Sequence, residues 1–192
     1  MARQGLRRGI CAAALLTLAI PASAGAATSA STGGTAPDSR SAGSGKTGKT
    51  NPSSRARISR DGRTATAPRN APAAVKKAIW AANRITRKPY RYGGGHGRWE
   101  DSGYDCSGSV SYALHGGGLL RRPLSSGPFM RWGRPGRGRW ITVYANSGHA
   151  YVVIAGLRFD TSSAGSGGGS GPRWRSRGRS SSGYVARHPS GF

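Results

Sequence analysis

The regular patterns of hydrophobic and polar residues lie after position 70. Between 75 and 85, apolar residues recur at every third or fourth position, with basic and amide side chains between them. This spacing predicts a helix with one buried face that begins near Pro72 and ends at Lys88-Pro89. A second, shorter helix is predicted to begin at residues 105–107 and to end at the three glycines 116–118.

Strand-like runs follow the two predicted helices. Hydrophobic and β-branched residues cluster at 140–145, 150–155 and 157–161, and Gly156 separates the last two runs as the turn of a hairpin. We predict a further strand at 183–188 and a glycine-serine loop at 164–172, whereas residues 121–139 carry no clear pattern. Helices followed by strands indicate an α+β fold with an antiparallel sheet.

An additional apolar run near the N-terminus has the features of a signal peptide. Three arginines precede an almost wholly apolar stretch from Ile10 to Ile20, and small residues at 22–24 provide a cleavage site. The stretch is too short to span a bilayer as a helix. We therefore expect residues 1–24 to be removed on export, and the mature protein to be secreted, either extracellular or associated with the cell wall.

The segment that follows, residues 25–70, contains no aromatic residue and is rich in Gly, Ser, Thr, Ala and Pro. Such a segment cannot bury enough apolar surface to offset its chain entropy, so we predict a disordered basic linker. The formal net charge of +24 divides into +3 for residues 1–24, +6 for the linker and +15 for residues 71–192, which we expect to form one domain. The positive charge favours contact with acidic polymers.

Signal cleavage would leave Cys106 as the one cysteine of the mature chain. It lies at the predicted start of the second helix, where backbone N–H groups and the helix dipole lower the pKa of a thiol. Asp105 is expected to cap that helix, and the small Gly108 is expected to leave room for a substrate. These features predict a nucleophilic cysteine.

His149 is the predicted base, and Asp160 is the predicted group that orients it. In a hairpin that turns at Ala155 and Gly156, residue i lies opposite residue 311 − i, so Asp160 is the diagonal neighbour of His149 on one face. A carboxylate there can accept the second imidazole N–H and fix the tautomer. The other histidines have no metal-ligand spacing with the cysteine, so we predict neither a metal site nor a cofactor.

Three motifs contain these residues: Pro89-Tyr90-Arg91-Tyr92-Gly93-Gly94, Asp105-Cys106-Ser107-Gly108-Ser109-Val110, and Gly148-His149-Ala150 before a hydrophobic strand. Together they resemble the NlpC family of cell-wall cysteine peptidases. The resemblance covers residues 73–190. It implies a papain-like domain, with N-terminal helices packed on a small antiparallel β-sheet, that cuts peptide bonds in peptidoglycan stem peptides.

The resemblance also implies a role for each matched residue. Cys106 matches the nucleophile and His149 the base, and Asp160 falls at the third position, where the family commonly has His, Asn or Gln. Tyr90 matches a tyrosine that assists near the nucleophile and that, with the Cys106 backbone N–H, would stabilise the oxyanion. The structural residues of the motif are Asp105, Ser107 and Gly108.

Two functions remain open at this point. The first is a secreted endopeptidase that acts on peptidoglycan as a monomer, with no specific nucleic acid and, after cleavage, no membrane as a partner. The second is a catalytically degenerate cationic protein that binds the cell wall or another polyanion, favoured by the mature charge of +21 and the unusual Asp160. In either case anionic wall polymers are expected partners of the basic linker.

Overall fold

The computed structural model describes residues 55–162, 170–176 and 178–192. The predicted signal peptide, residues 25–54 of the predicted linker and residues 164–169 of the predicted glycine-serine loop lie outside these ranges. Within them, the structure contains no helix whose length and apolar character would suit a membrane span.

Residues 55–70, which composition assigns to the linker, contain a two-stranded antiparallel hairpin. Its strands are β1 (Arg57–Ile58) and β2 (Ala65–Thr66). Ala56 and Ala65 are buried in the core, and the backbone of Ala65 makes two hydrogen bonds with the side chain of Asn83. The prediction of a disordered linker does not hold for this part of the segment, because small side chains and backbone hydrogen bonds anchor it where large apolar residues are lacking. The folded region therefore begins before residue 71.

Two helices form one layer of the core, and both lie where the hydrophobic pattern predicts them. α1 spans Ala73–Ile85 directly after Pro72, and α2 spans Cys106–Gly116. The helices pack against each other, and α2 also contacts two strands of the main sheet. The apolar positions of α1 are buried in this layer: Val75, Ala78, Ile79, Ala81, Ala82 and Ile85.

The second layer is a six-stranded antiparallel sheet that follows a short helix, α3 (Ser126–Phe129). Its strands are β3 (Arg134–Pro135), β4 (Ile141–Ala145), β5 (Ala150–Ile154), β6 (Leu157–Asp160), β7 (Arg173–Arg175) and β8 (Val185–His188). The strand order is β3-β8-β4-β5-β6-β7. The combination of helices and antiparallel strands confirms the α+β class.

The hairpin of β5 and β6 has the predicted register. Val152 lies opposite Phe159, and Val153 lies opposite Arg158. The turn consists of Ala155 (φ 46°) and Gly156 (φ 78°), two left-handed residues as in a type I′ turn. One set of alternating side chains is buried towards the helices: Val143, Val152, Ile154, Phe159 and Trp174. The other set, to which Asp160 and Arg158 belong, lies on the opposite face of the sheet; we call this the outer face of the sheet.

Candidate active site

Cys106 is the first residue of α2, and Asp105 is the N-cap of that helix. The Asp105 carboxylate accepts a hydrogen bond of 2.7 Å from the backbone N–H of Gly108, which confirms the predicted cap. The Cys106 side chain is a buried free thiol whose Sγ lies 3.8 Å from Oγ of Ser126 in α3. Sequence reasoning missed Ser126, because it lies in the stretch of 121–139 that has no clear hydrophobic pattern.

His149 lies immediately before β5, and its ring bridges the thiol and a carboxylate. Nε2 lies 2.9 Å from Oδ1 of Asp160, the last residue of β6. The imidazole lowers the pKa of the Cys106 thiol, and the thiol raises the pKa of the imidazole, so the two side chains are electrostatic neighbours. Since Nε2 faces Asp160, Nδ1 is the ring nitrogen left for the thiol. Asn146 fixes the backbone here, because its Oδ1 accepts the N–H of His149 at 2.8 Å. The structure thus brings together the three side chains singled out from the sequence.

The protonation of the pair favours a reactive thiol. Burial raises the pKa of the Cys106 thiol, but hydrogen bonds from His149 and from the backbone N–H of Ala150 lower it, and the net effect is a pKa below the ordinary value. Burial lowers the pKa of His149, but hydrogen bonds to Asp160 and Cys106 raise it to about 9. These opposite shifts favour a thiolate beside an imidazolium over the neutral pair.

Asp160 is fully buried and held by several donors. Its carboxylate accepts hydrogen bonds from the hydroxyl (2.6 Å) and the backbone N–H (3.0 Å) of Ser162, and it lies 3.3 Å from a guanidinium nitrogen of Arg179 and 3.7 Å from one of Arg158. Burial raises the pKa of this carboxyl, but the hydrogen bonds from His149 and Ser162 outweigh burial and hold the pKa well below its ordinary value. Asp160 is therefore ionised when it contacts His149.

The two glycine-containing motifs near the cysteine form one structural unit. The backbone N–H of Asp105 donates to the carbonyl of Gly94 (3.2 Å), and the Asp105 carboxylate accepts the N–H of Gly93 (3.1 Å). Gly108 packs so closely on this loop that a Cβ at Gly108 would overlap the carbonyl oxygen of Gly94. The small size of Gly108 serves this backbone contact, which corrects the expectation that it leaves room for a substrate.

His96 belongs to the same unit, and sequence reasoning missed its role. Its Nε2 lies 3.0 Å from Oδ1 of Asp105 and 3.2 Å from Oγ of Ser107. The hydrogen bond to Asp105 raises the pKa of His96, although burial opposes this effect. The sequence signal was weak, because His96 is one polar residue in a glycine-rich loop without periodicity. His96 thus holds the side chains of Asp105 and Ser107 at the start of α2. These contacts are consistent with a structural role for Asp105 and Ser107.

Cys106 opens onto a cleft of about 680 Å³. Tyr90 reaches this cleft because the segment at Tyr90 pairs with Tyr104, just before the helix cap. Burial raises the pKa of Tyr90, as do the negative charges of Cys106 and Asp105, so its phenol lies near the thiol. Other residues lining the cleft are Tyr92, Gly93, His96, Ser107, Ser125, Ser126, Gly127, Pro128, Ser147 and Gly148.

The arrangement is suited to nucleophilic attack by a thiolate, with proton transfer through an imidazole that a carboxylate orients. Within the described part of the chain, no group of three or more His, Cys, Asp or Glu side chains is placed to hold a metal ion. Comparisons with protein-family models, with curated proteins and with solved structures found no match. Function is therefore inferred from the three side chains and the cleft around them.

Proposed function

We propose that the protein is a secreted cysteine peptidase that hydrolyses peptide bonds in peptidoglycan stem peptides. The observation that carries this proposal is the set of Cys106, His149 and Asp160, in which the imidazole lies 2.9 Å from the carboxylate and interacts electrostatically with the thiol. The packing of α1 and α2 beside an antiparallel sheet supports a papain-like domain of the NlpC type.

In the proposed reaction the Cys106 thiolate attacks the carbonyl carbon of the scissile bond and forms a tetrahedral oxyanion. The backbone N–H of Cys106 and the phenol of Tyr90 stabilise the oxyanion. His149 donates its Nδ1 proton to the leaving amine, and a thioester with the acyl group remains. Water then attacks the thioester while His149 accepts its proton, and the carboxylate product leaves as the thiolate is restored. Asp160 holds the ring and stabilises the imidazolium.

A second depression supports a substrate with free carboxylates. It has a volume of about 410 Å³, shares Tyr92 and Gly93 with the cleft, and is lined by Arg91, by Arg98 and by Asp101, which lies 3.6 Å from the Arg98 guanidinium. Peptidoglycan stem peptides carry free carboxylates, and guanidinium groups form strong, often bidentate hydrogen bonds with carboxylates. We expect the two arginines to hold such a carboxylate while the scissile bond lies over Cys106.

The test is the release of soluble fragments from purified peptidoglycan by the purified protein. Cys106→Ala and His149→Gln should both abolish release, because one removes the nucleophile and the other the base. His188→Gln is the matched control, since His188 bonds to the carbonyl of Gly136 and does not line the cleft. Equal release by the wild type and Cys106→Ala, or no release by either, would refute the proposal.

The alternative, a degenerate cationic binding protein, is favoured by the net charge and by the unusual Asp160 at the third position. It predicts that the Cys106 thiol titrates as an ordinary cysteine with a pKa of about 8.5. The rate of alkylation by iodoacetamide, followed against pH, distinguishes the two functions. A peptidase requires alkylation of Cys106 at a lower pH than that of an ordinary thiol in the wild type, and a shift of the reaction towards pH 8.5 in His149→Gln.

A further inference from the structure

The outer face of the sheet carries a pocket of arginines, separate from the cleft at Cys106. The pocket has a volume of about 480 Å³, and none of the described residues that line it is acidic. A carboxylate lies beside it nonetheless, since Asp160 contacts both Arg158 and Arg179. The arginines that line the pocket are Arg55, Arg137, Arg158, Arg175 and Arg179. The positive charge of these side chains exceeds the negative charge of Asp160.

Two of these arginines lie in an arrangement that is unfavourable on its own. Arg158 of β6 and Arg175 of β7 are directly opposite each other in the sheet. Like charges in such a pair repel and destabilise the sheet. The Nε atoms of both side chains are buried, and neither has a hydrogen-bond acceptor among the described residues. An anion between them would relieve the repulsion and accept these hydrogen bonds.

The tyrosines and serines that line the pocket indicate which kind of anion it would bind. The rings of Tyr144 and Tyr151 stack on each other with centroids 5.0 Å apart, and Arg179 lies over Tyr151 at 5.4 Å. Both tyrosines are more than nine-tenths buried, so neither offers an open ring face on which a nucleobase could stack. Ser176 and Ser181 add small polar residues to the lining. The pocket thus offers guanidinium and hydroxyl donors but no exposed ring on which a base could stack. These groups favour a phosphate ester of a small alcohol over a nucleotide.

We propose that this pocket binds a phosphate group of a polyol phosphate chain, with Arg158 and Arg175 as paired donors. Arginine is suited to this role, because its planar fork donates charge-assisted hydrogen bonds to phosphate oxygens. The site is distinct from the electrostatic contact expected of the basic linker, since its donors lie on two strands of the folded sheet. The inference goes beyond the proposed peptidase and does not depend on it.

The test measures binding of a synthetic glycerol phosphate oligomer to the purified protein by calorimetry, together with the change in melting temperature that the oligomer causes. Arg175→Gln should weaken binding about tenfold, because it removes hydrogen bonds to a charged group. The same substitution removes the repulsion on Arg158 but also the hydrogen bonds from Arg175 to the carbonyl of Ser162 (2.8 Å) and the hydroxyl of Ser170 (3.1 Å), so the melting temperature without oligomer should stay close to that of the wild type. Weakened binding with an undiminished melting temperature cannot result from unfolding.

Arg69→Gln is the matched control, because Arg69 is exposed and lies outside the pocket. It removes the same charge, and we expect it to change the affinity less than about twofold. Two results would overturn the proposal: unchanged affinity in Arg175→Gln, or an equal loss in Arg69→Gln, which would indicate general attraction to a basic chain. A single-stranded oligonucleotide of equal charge is the third arm. If it binds as tightly as the oligomer and loses affinity in Arg175→Gln, the assignment to a polyol phosphate is wrong.

Discussion

The cleft at Cys106 and the arginine pocket on the outer face of the sheet differ in how their charges are balanced. In the cleft, the thiol, the imidazole and the carboxylate form a chain in which each group stabilises the charge of the next. In the pocket, two arginines face each other across neighbouring strands, and Asp160 offsets only part of the positive charge. The charges of the cleft are thus balanced without a ligand, whereas those of the pocket are not. We therefore expect a bound anion to stabilise the pocket.

The largest effect is expected from Asp160→Asn, because Asp160 contacts both regions. The substitution removes the acceptor that orients His149, so the rate constant of the proposed hydrolysis should fall by about ten-thousandfold. The pKa of His149 should fall from about 9 towards its ordinary value. Peptidoglycan hydrolysis gives the first quantity and NMR titration of the imidazole gives the second. Asp61→Asn, at an exposed turn, should change neither; an unchanged His149 pKa in Asp160→Asn would contradict the coupling.

The next effect is a pH dependence of stability that belongs to the cleft. The pKa of His149 is about 9 in the folded protein and about 6.5 when unfolded. Its contribution is therefore fully present below pH 6.5 and is lost as the pH rises through 9. The free energy of unfolding of the wild type relative to His149→Gln should decline over this range by up to about 3 kcal/mol. Chemical denaturation at several pH values measures it, and a constant difference would refute the shift.

A smaller effect is expected from Gly108→Ala, which tests the packing beneath the cleft. The added methyl group would overlap the carbonyl of Gly94, so the protein should lose about 2 kcal/mol of stability. Gly97→Ala is the control, because a Cβ at Gly97 meets no atom within 4 Å. Denaturation midpoints of the two variants give the comparison. Equal stability of the two variants would mean that the loop moves away at no cost.

The smallest effect is expected from Ser126→Ala. The Ser126 hydroxyl lies 3.8 Å from the Cys106 sulfur, and this contact lowers the pKa of the thiol. Its removal should raise the pKa slightly and reduce the rate of hydrolysis less than about fivefold, since a single weak hydrogen bond is lost. The pH dependence of alkylation measures the shift. Ser125→Ala, which alters the same wall of the cleft, should leave the pKa of Cys106 unchanged.

The cleft was more accessible to sequence reasoning than the pocket, and the reason is physical. The alignment of His149 with Asp160 depends on a two-residue turn and on the alternation of side chains along two strands, both of which are local properties. Cys106 could be placed because an N-cap residue directly precedes it. The contacts of Ser126 and His96 arise from irregular segments, so no periodicity indicates them.

The pocket depends on contacts that no local pattern specifies. Arg175 lies in β7, a three-residue strand after a long stretch of glycine and serine, and such a strand is too short to show alternation. The hairpin of β1 and β2 was missed for a related reason. The prediction of a linker was based on the lack of large apolar residues in the segment. The hairpin is instead anchored by two small buried side chains, Ala56 and Ala65, and by hydrogen bonds with Asn83. Sequence reasoning is weakest where small side chains or backbone groups make the contact.

The contact between Gly94 and Gly108 shows that some residues of one sequence motif are needed for backbone packing and others for chemistry. Gly108 must be glycine so that the loop can close on the start of α2, and Gly94 must be glycine because a Cβ there would overlap the carbonyl of Gly103. A descendant of this protein that had lost Cys106 and His149 would still need the glycines to keep its shape. The glycines of the motif therefore serve the packing of the backbone, whereas the thiol and the imidazole serve the proposed chemistry.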